Sequence, residues 1–258
     1  EEFTFENGMT AEMWIQPSDI NTAATLFSNS GVSLSTDGTG KLTAASGSAT
    51  VEYDLASDAS DVWESGWNYV AFSADAATLK LFVNGQLVNE ASAATNLMLD
   101  SVNVIGENYA GFMDEFRLWN TMRSDSLIER YHSIVLPREE EGLISALRFD
   151  ENLGEYVFDH TRTDGEPNKN HAWIYGAEWS KNIPSTGKLA LAAKTEPNGN
   201  YQVNGIWFKG SGSTFSVTPS FGVHQFDPAT RSLLISENSL IYNNQDFTDI
   251  SAFMITGN

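Results

Sequence analysis

The chain contains no cysteine. It therefore has no disulfide, no thiolate metal site and no cysteine nucleophile. Cations are also scarce: 14 Lys and Arg stand against 34 Asp and Glu, a formal net charge of −20 over 258 residues. Nucleic acid needs clustered Lys and Arg for its phosphates, so it is excluded as a partner, and an anionic membrane surface is excluded with it. No apolar run reaches the roughly 18–20 residues of a membrane span, so no membrane insertion is expected. EEFTFENG at the N-terminus lacks the basic region, apolar stretch and cleavage site of a signal peptide. It starts already strand-like, and SAFMITGN at the other end stops within an apolar run. The chain is thus expected to be a segment of something larger. The four histidines, His132, His160, His171 and His224, show no i,i+4 or HxH pairing and read as structural or surface residues.

What the chain does have is aromatic: 7 Trp, 8 Tyr and 15 Phe within a 41% hydrophobic composition, enough for a sizeable core. Short alternating segments broken by Gly, Asn, Asp and Ser dominate, among them TAEMWIQ, ATLFS, VSLST, KLTAA, NYVAFSA, TLKLFVN and DEFRLWN. Asn84-Gly85 marks a tight hairpin, because both residues tolerate positive φ. One helix is predicted over 124–135, SDSLIERYHSIV, with Ser124 as N-cap and Leu127, Ile128, Tyr131, Ile134 and Val135 on one face. Further strands, LISALRF, EYVFD and AWIYGAEW, precede the linker-like NIPSTGK at 182–188. The expected division is residues 1–181, a large sandwich, and residues 182–258, a small Ig-like β-sandwich. The fold class is all-β.

Three motifs carry a family resemblance. TAEMWIQP, WNYVAFSADAATLKLFVNGQLV and GFMDEFRLWNTMRS resemble, in order and spacing, the strand, hairpin and closing strand of laminin-G-like, concanavalin-A-like jelly-roll sandwiches. GLISALRFDENLGEYVFDHTRTDGEPNKNHAWIYGAEW resembles a segment that in this family usually precedes the first motif. Here it is expected to complete the first sandwich or dock against it. YQVNGIWFKGSGSTFSVTPSFGVHQFDPATR resembles β-repeats of very large Bacteroidetes-type cell-surface (gliding or adhesin) proteins, with SAFMITGN as the opening of a further repeat. The resemblance implies a secreted or cell-surface location, and neighbouring domains of the same long chain as partners.

The acidic pair Asp114-Glu115 inside GFMDEFRLWN admits several readings. In a regular strand the two side chains point to opposite faces and cannot both line one catalytic cleft. No alternating E-x-D-x-E occurs in the chain, so no enzyme activity is expected. Glu115 and Arg117 share a face and can form a salt bridge. Regular alternation then places Asp114 on the core face with Phe116 and Leu118, where an unpaired charge is costly. Either it binds a metal ion or it accepts hydrogen bonds from backbone amides in a turn or bulge. The resemblance implies calcium at Asp114, completed by backbone carbonyls. Asp159 is a second candidate calcium ligand, at the end of a strand and the start of the Asp164, Glu166 and Asn168 loop; a solvated turn is the alternative.

Aromatic side chains near polar loops are candidates for stacking on sugars: Trp63, Tyr109, and Trp173 with Tyr175. Trp63 and Tyr109 are preferred, because both lie beside Gly and acidic residues at predicted strand ends. The resulting expectation is a non-catalytic binding or adhesion module, calcium-stabilised, with a glycan or surface polymer as ligand. The competing readings are a structural spacer in a long surface filament and a degenerate glycosidase.

Overall fold

The computed structural model describes residues 5–56, 63–92, 103–134, 136, 140–163, 166–167, 170–184, 195, 198–201, 203, 211–221 and 223–252. Ten strands come first: β1 Met9–Pro17, β2 Ala23–Asn29, β3 Val32–Asp37, β4 Lys41–Ser46, β5 Ala49–Asp54, β6 Asn68–Ala74, β7 Thr78–Val83, β8 Gln86–Ser92, β9 Val104–Glu107 and β10 Gly111–Trp119. The single helix among the described residues, α1 Asp125–Tyr131, precedes β11 Leu143–Leu147, β12 Tyr156–Val157, β13 Arg162–Thr163, β14 Glu166–Pro167 and β15 Ala172–Trp173. No helix is long and apolar enough to cross a membrane among the described residues.

Two antiparallel sheets form the sandwich. One has the order β11-β10-β1-β6-β7-β8 and the other β5-β4-β3-β2-β9. Period-2 alternation decides which side chains meet between them. From β1 these are Met9, Ala11, Met13 and Ile15, joined by Val70 and Phe72 of β6 and Leu79 and Leu81 of β7. From the other sheet come Phe27, Val32, Leu34, Leu42 and Val51. Phe27 bridges the layers, with its ring 6.0 Å from that of Phe72 and 5.6 Å from that of Phe116. Each of the Met, Ile, Val, Leu and Phe side chains among them, fully buried, contributes about 1.5–3 kcal/mol.

The outer face of the six-stranded sheet is covered as well. Trp14, Trp67, Tyr69, Ala71 and Phe82 form a second buried cluster with Ile128 of α1. Lys80 holds the helix N-terminus through Asp125 at 2.7 Å. The helix is shorter than predicted: it stops at Tyr131, where His132 caps it and stacks on Trp14, while Leu127 stays exposed. One buried face of seven residues is all that the sheet needs here. The β7–β8 hairpin turns at Asn84 (φ 48°) and Gly85 (φ 81°), as its sequence predicts. Gly85 is also required by space, since a Cβ there would lie 2.5 Å from the His132 ring.

The chain divides into two compact units, Glu1–Gly205 and Ile206–Asn258. LISALRF indeed completes the first sandwich, as edge strand β11. In the second unit, β16 Ser213–Val217 pairs with β18 Arg231–Ile235, and β17 Phe226–Asp227 pairs with β19 Thr248–Asp249. Most of YQVNGIWFKG, all of LALAAK and residues 253–258 of SAFMITGN lie outside the described residues.

Candidate functional site

A β-bulge decides the face that Asp114 occupies. Ala11 pairs with Leu118 and Glu12 with Arg117, but Trp14 pairs with Asp114, so two residues of β10 oppose Met13 alone. Glu115 takes φ 49° at this point. The extra residue inverts the alternation. Asp114 therefore lies opposite Trp14, on the outer face, and does not share the core face with Phe116 and Leu118 as regular alternation requires. The same bulge removes the premise that Asp114 and Glu115 must point apart.

Both carboxylates are 8% exposed. Glu115 accepts from Arg117 at 3.3 Å, the pair expected from their shared face, and both side chains are buried. Arg117 also donates to Glu12 at 3.3 Å, and Arg123 donates to Glu12 at 3.2 Å. Glu12, wholly buried, accepts a further bond from the Tyr69 hydroxyl at 2.5 Å. Burial raises the Glu12 carboxyl, but the two guanidinium groups outweigh it and hold it below its ordinary value.

Asp114 is in the opposite situation. Its Oδ1 accepts the Glu115 amide at 2.9 Å, so backbone capping in a bulge, one of the two readings of the sequence, is present. Among the described residues no cation is paired with it. Burial, then the charges of Glu115 and Asp150, push its carboxyl up to about 8. Asp150 follows β11, and burial raises its carboxyl as well. An uncompensated carboxylate beside a second one is an oxygen donor set that suits a hard cation. No group of three acidic or histidine side chains converges on one point among the described residues, so backbone carbonyls or water would have to complete such a site.

Asp159 is 7% exposed and is tied into the protein. Its Oδ1 accepts from the Ala146 amide at 3.1 Å, the Thr161 amide at 2.9 Å and the Thr161 hydroxyl at 2.8 Å. This fastens the chain to β11. Its Oδ2 is buried without a partner among the described residues. Asp164 and Asn168 of the same loop, and the side chain of Glu166, lie outside the described residues.

Neither preferred aromatic presents an open face. Trp63 is 3% exposed and packs in the main core against Tyr53. The signal that selected it, a neighbouring Gly and Glu, marks a chain turn whose aromatic residue folds inward. Tyr109 is half-buried, and its hydroxyl reaches the Phe112 carbonyl at 3.4 Å.

The exposed aromatics gather elsewhere, on the ribbon of β12 and β15. Tyr156 pairs with Trp173 and Val157 with Ala172. Val157 is buried in the core, and Ala172 and Ile174 pack against it. Alternation then turns Tyr156 and Phe158 of one segment outward, and His171, Trp173 and Tyr175 of the other. Tyr156 is 40% exposed, Phe158 50%, Trp173 52% and Tyr175 86%. The Tyr156 and Trp173 rings lie 3.7 Å apart between centroids, and the Phe158 ring meets His171 edge-on at 5.2 Å. Sequence reasoning noticed Trp173 and Tyr175 but passed over Tyr156 and Phe158. An aromatic at every second position of both EYVFD and HAWIY was the available signal.

A sequence profile described as the concanavalin A-like lectin/glucanases superfamily matches residues 1–129, half of the chain. The chain belongs to that superfamily. Among solved structures it is similar to a candidate carbohydrate-binding protein from Bacteroides ovatus, at 18% identity and TM-score 0.49, over 60% of this chain and 49% of that one. It is also similar to the ligand-binding domain of botulinum neurotoxin serotype D in complex with N-acetylneuraminic acid, at 18% identity and TM-score 0.42, over 48% and 35% of the two chains. A heptameric pentraxin from Limulus polyphemus is similar at 11% identity and TM-score 0.37, over 49% and 70%. No curated protein matches the chain. The aligned part spans about half of the first of these structures and about a third of the second.

Proposed function

We propose that the chain is a non-catalytic glycan-binding module of a large secreted or cell-surface protein, and that the β12–β15 ribbon is its contact surface. One observation carries this reading: every outward position of the ribbon from Tyr156 to Phe158 and from His171 to Tyr175 is aromatic. A solvated sheet face ordinarily carries polar side chains, and a contiguous exposed apolar patch marks a binding surface. Flat rings match the C–H faces of sugar rings, and Tyr hydroxyl and Trp indole N–H groups supply polar contacts at the edges.

Membership of a superfamily of lectins and glucanases supports carbohydrate as the ligand. Glucanase chemistry needs two carboxyl groups flanking the scissile bond across a cleft. In the acidic pair of β10, Glu115 is paired with Arg117, and Asp114 accepts the Glu115 amide through Oδ1 alone. Calcium would be held by Asp114 and Asp150, where it would offset the crowded carboxylates and tie the bulge of β10 to the chain that follows β11. Asp159 Oδ2 is the second oxygen left for a cation. Residues 206–258 fit the reading as one β-repeat in a long chain, with further domains of that chain as neighbours.

Affinity electrophoresis in gels cast with a panel of polysaccharides tests the proposal. Retarded migration on at least one polysaccharide, without release of reducing sugar, is expected. Migration unaffected by every polysaccharide would favour the structural-spacer reading, and released sugar would show an enzyme.

A further inference from the structure

We infer that the ribbon selects extended, uncharged oligosaccharides and rejects sialylated or otherwise anionic ones, an inference that rests on the glycan-binding reading. Two observations carry it. The first is the absence of Lys and Arg from the outward ribbon positions. These hold Tyr156, Phe158, His171, Trp173 and Tyr175. The His171 ring is tied to the backbone, its Nδ1 accepting the Asp159 amide at 3.0 Å. The surroundings are acidic: residues 150–182 contain seven Asp and Glu against three Lys and Arg. Glu155 and Glu178 are exposed within the same segment. Among the described outward residues of the ribbon, a carboxylate sugar would find no Lys or Arg as a charge-assisted partner, and Glu155 and Glu178 would repel it.

The second observation is length. His171, Trp173 and Tyr175 occupy alternate positions around β15, with Tyr175 at a bend two residues beyond the strand. At about 3.3 Å per strand residue, the four steps from the first to the last span at most about 13 Å. A single sugar covers only part of that line. Tyr156 and Phe158 lie beside it across the ribbon, opposite Trp173 and His171. The surface therefore offers successive stacking positions along an oligosaccharide, and affinity should rise as units are added until the line is filled.

A glycan array holding neutral and acidic oligosaccharides of graded length, probed with the whole 258-residue chain and with Trp173→Ala, tests the inference. Trp173 is half exposed, so its truncation leaves the core intact. Binding to neutral oligosaccharides that strengthens from one unit to three and weakens at least about tenfold in Trp173→Ala is the expected result. Binding of sialylated glycans through Trp173 would overturn the charge inference and leave the glycan reading standing. Neutral binding that ignores chain length would overturn the extended-ligand inference. Glycan binding indifferent to Trp173→Ala would overturn the assignment of the ribbon. Absence of any glycan binding, with concentration-dependent self-association abolished by Trp173→Ala, would overturn both readings and make the ribbon a protein-docking surface.

Discussion

Replacing Asp114 with Asn isolates the one carboxylate that the fold disfavours. Burial and two neighbouring carboxylates raise its carboxyl from 3.8 to about 8 in the folded chain. A raised acid binds its proton more tightly when folded. Its contribution to stability is complete below the unfolded value and is lost as pH rises through the folded one. Each pH unit in that window corresponds to about 1.4 kcal/mol for one proton. The window is about four pH units wide, a ceiling of about 6 kcal/mol; penetration of water around a side chain 8% exposed reduces this to about 2–3 kcal/mol. Asn keeps the Oδ1 that accepts the Glu115 amide and carries no charge. In chelator, therefore, the wild-type melting temperature should fall between pH 4 and pH 8 more steeply than that of Asp114→Asn, and the variant should be the more stable at pH 8. Asp150 shifts in the same direction, so the difference between the two curves, and not the slope of either, measures Asp114. Adding calcium at about 100 times its dissociation constant should restore about 2.7 kcal/mol to the wild type at pH 8 and much less to the variant. Thermal unfolding followed by near-ultraviolet circular dichroism reads both effects. Parallel curves in chelator would refute the burial argument, and an unchanged wild-type melt with calcium would refute the cation site.

Two further outcomes follow from the same face of the sheet. Glu12→Gln should destabilise the first unit by about 3–5 kcal/mol, because it leaves Arg117 and Arg123 buried with one carboxylate fewer; urea unfolding measures it, and a loss below 1 kcal/mol would show that water reaches the network. Incubation with β-glucans and other common polysaccharides should release no reducing sugar, and any turnover that disappears in Glu115→Gln would mean that the bulge carboxylates are catalytic.

Much of the architecture is decided by side-chain period alone. The alternation in TAEMWIQ and NYVAFSA, and the positive φ tolerated by Asn84-Gly85, specify strands and a hairpin from contacts local in the chain. The three motifs within residues 1–129 suffice for the superfamily. Ser124 marks the helix start from its own hydroxyl, which accepts the Leu127 amide at 3.4 Å. The end of that helix was not legible, because it depends on where His132 packs against Trp14 and Tyr69, more than a hundred and more than sixty positions away in sequence.

Which face each functional side chain occupies was settled only in three dimensions. A bulge is a mismatch between two strands, and β10 alone cannot show that Glu115 and Phe116 will share a single partner on β1. Asp114 changed faces for that reason, and Asp150 came near it only because β11 pairs with β10. Trp63 and Trp173 are the same kind of residue in comparably polar stretches. One fills the space between two sheets, while the other is turned outward because Val157, Ala172 and Ile174 claim the inner side of its ribbon. Composition sets how many aromatic rings a chain has to bury; the room left between the packed layers determines which of them stay in water.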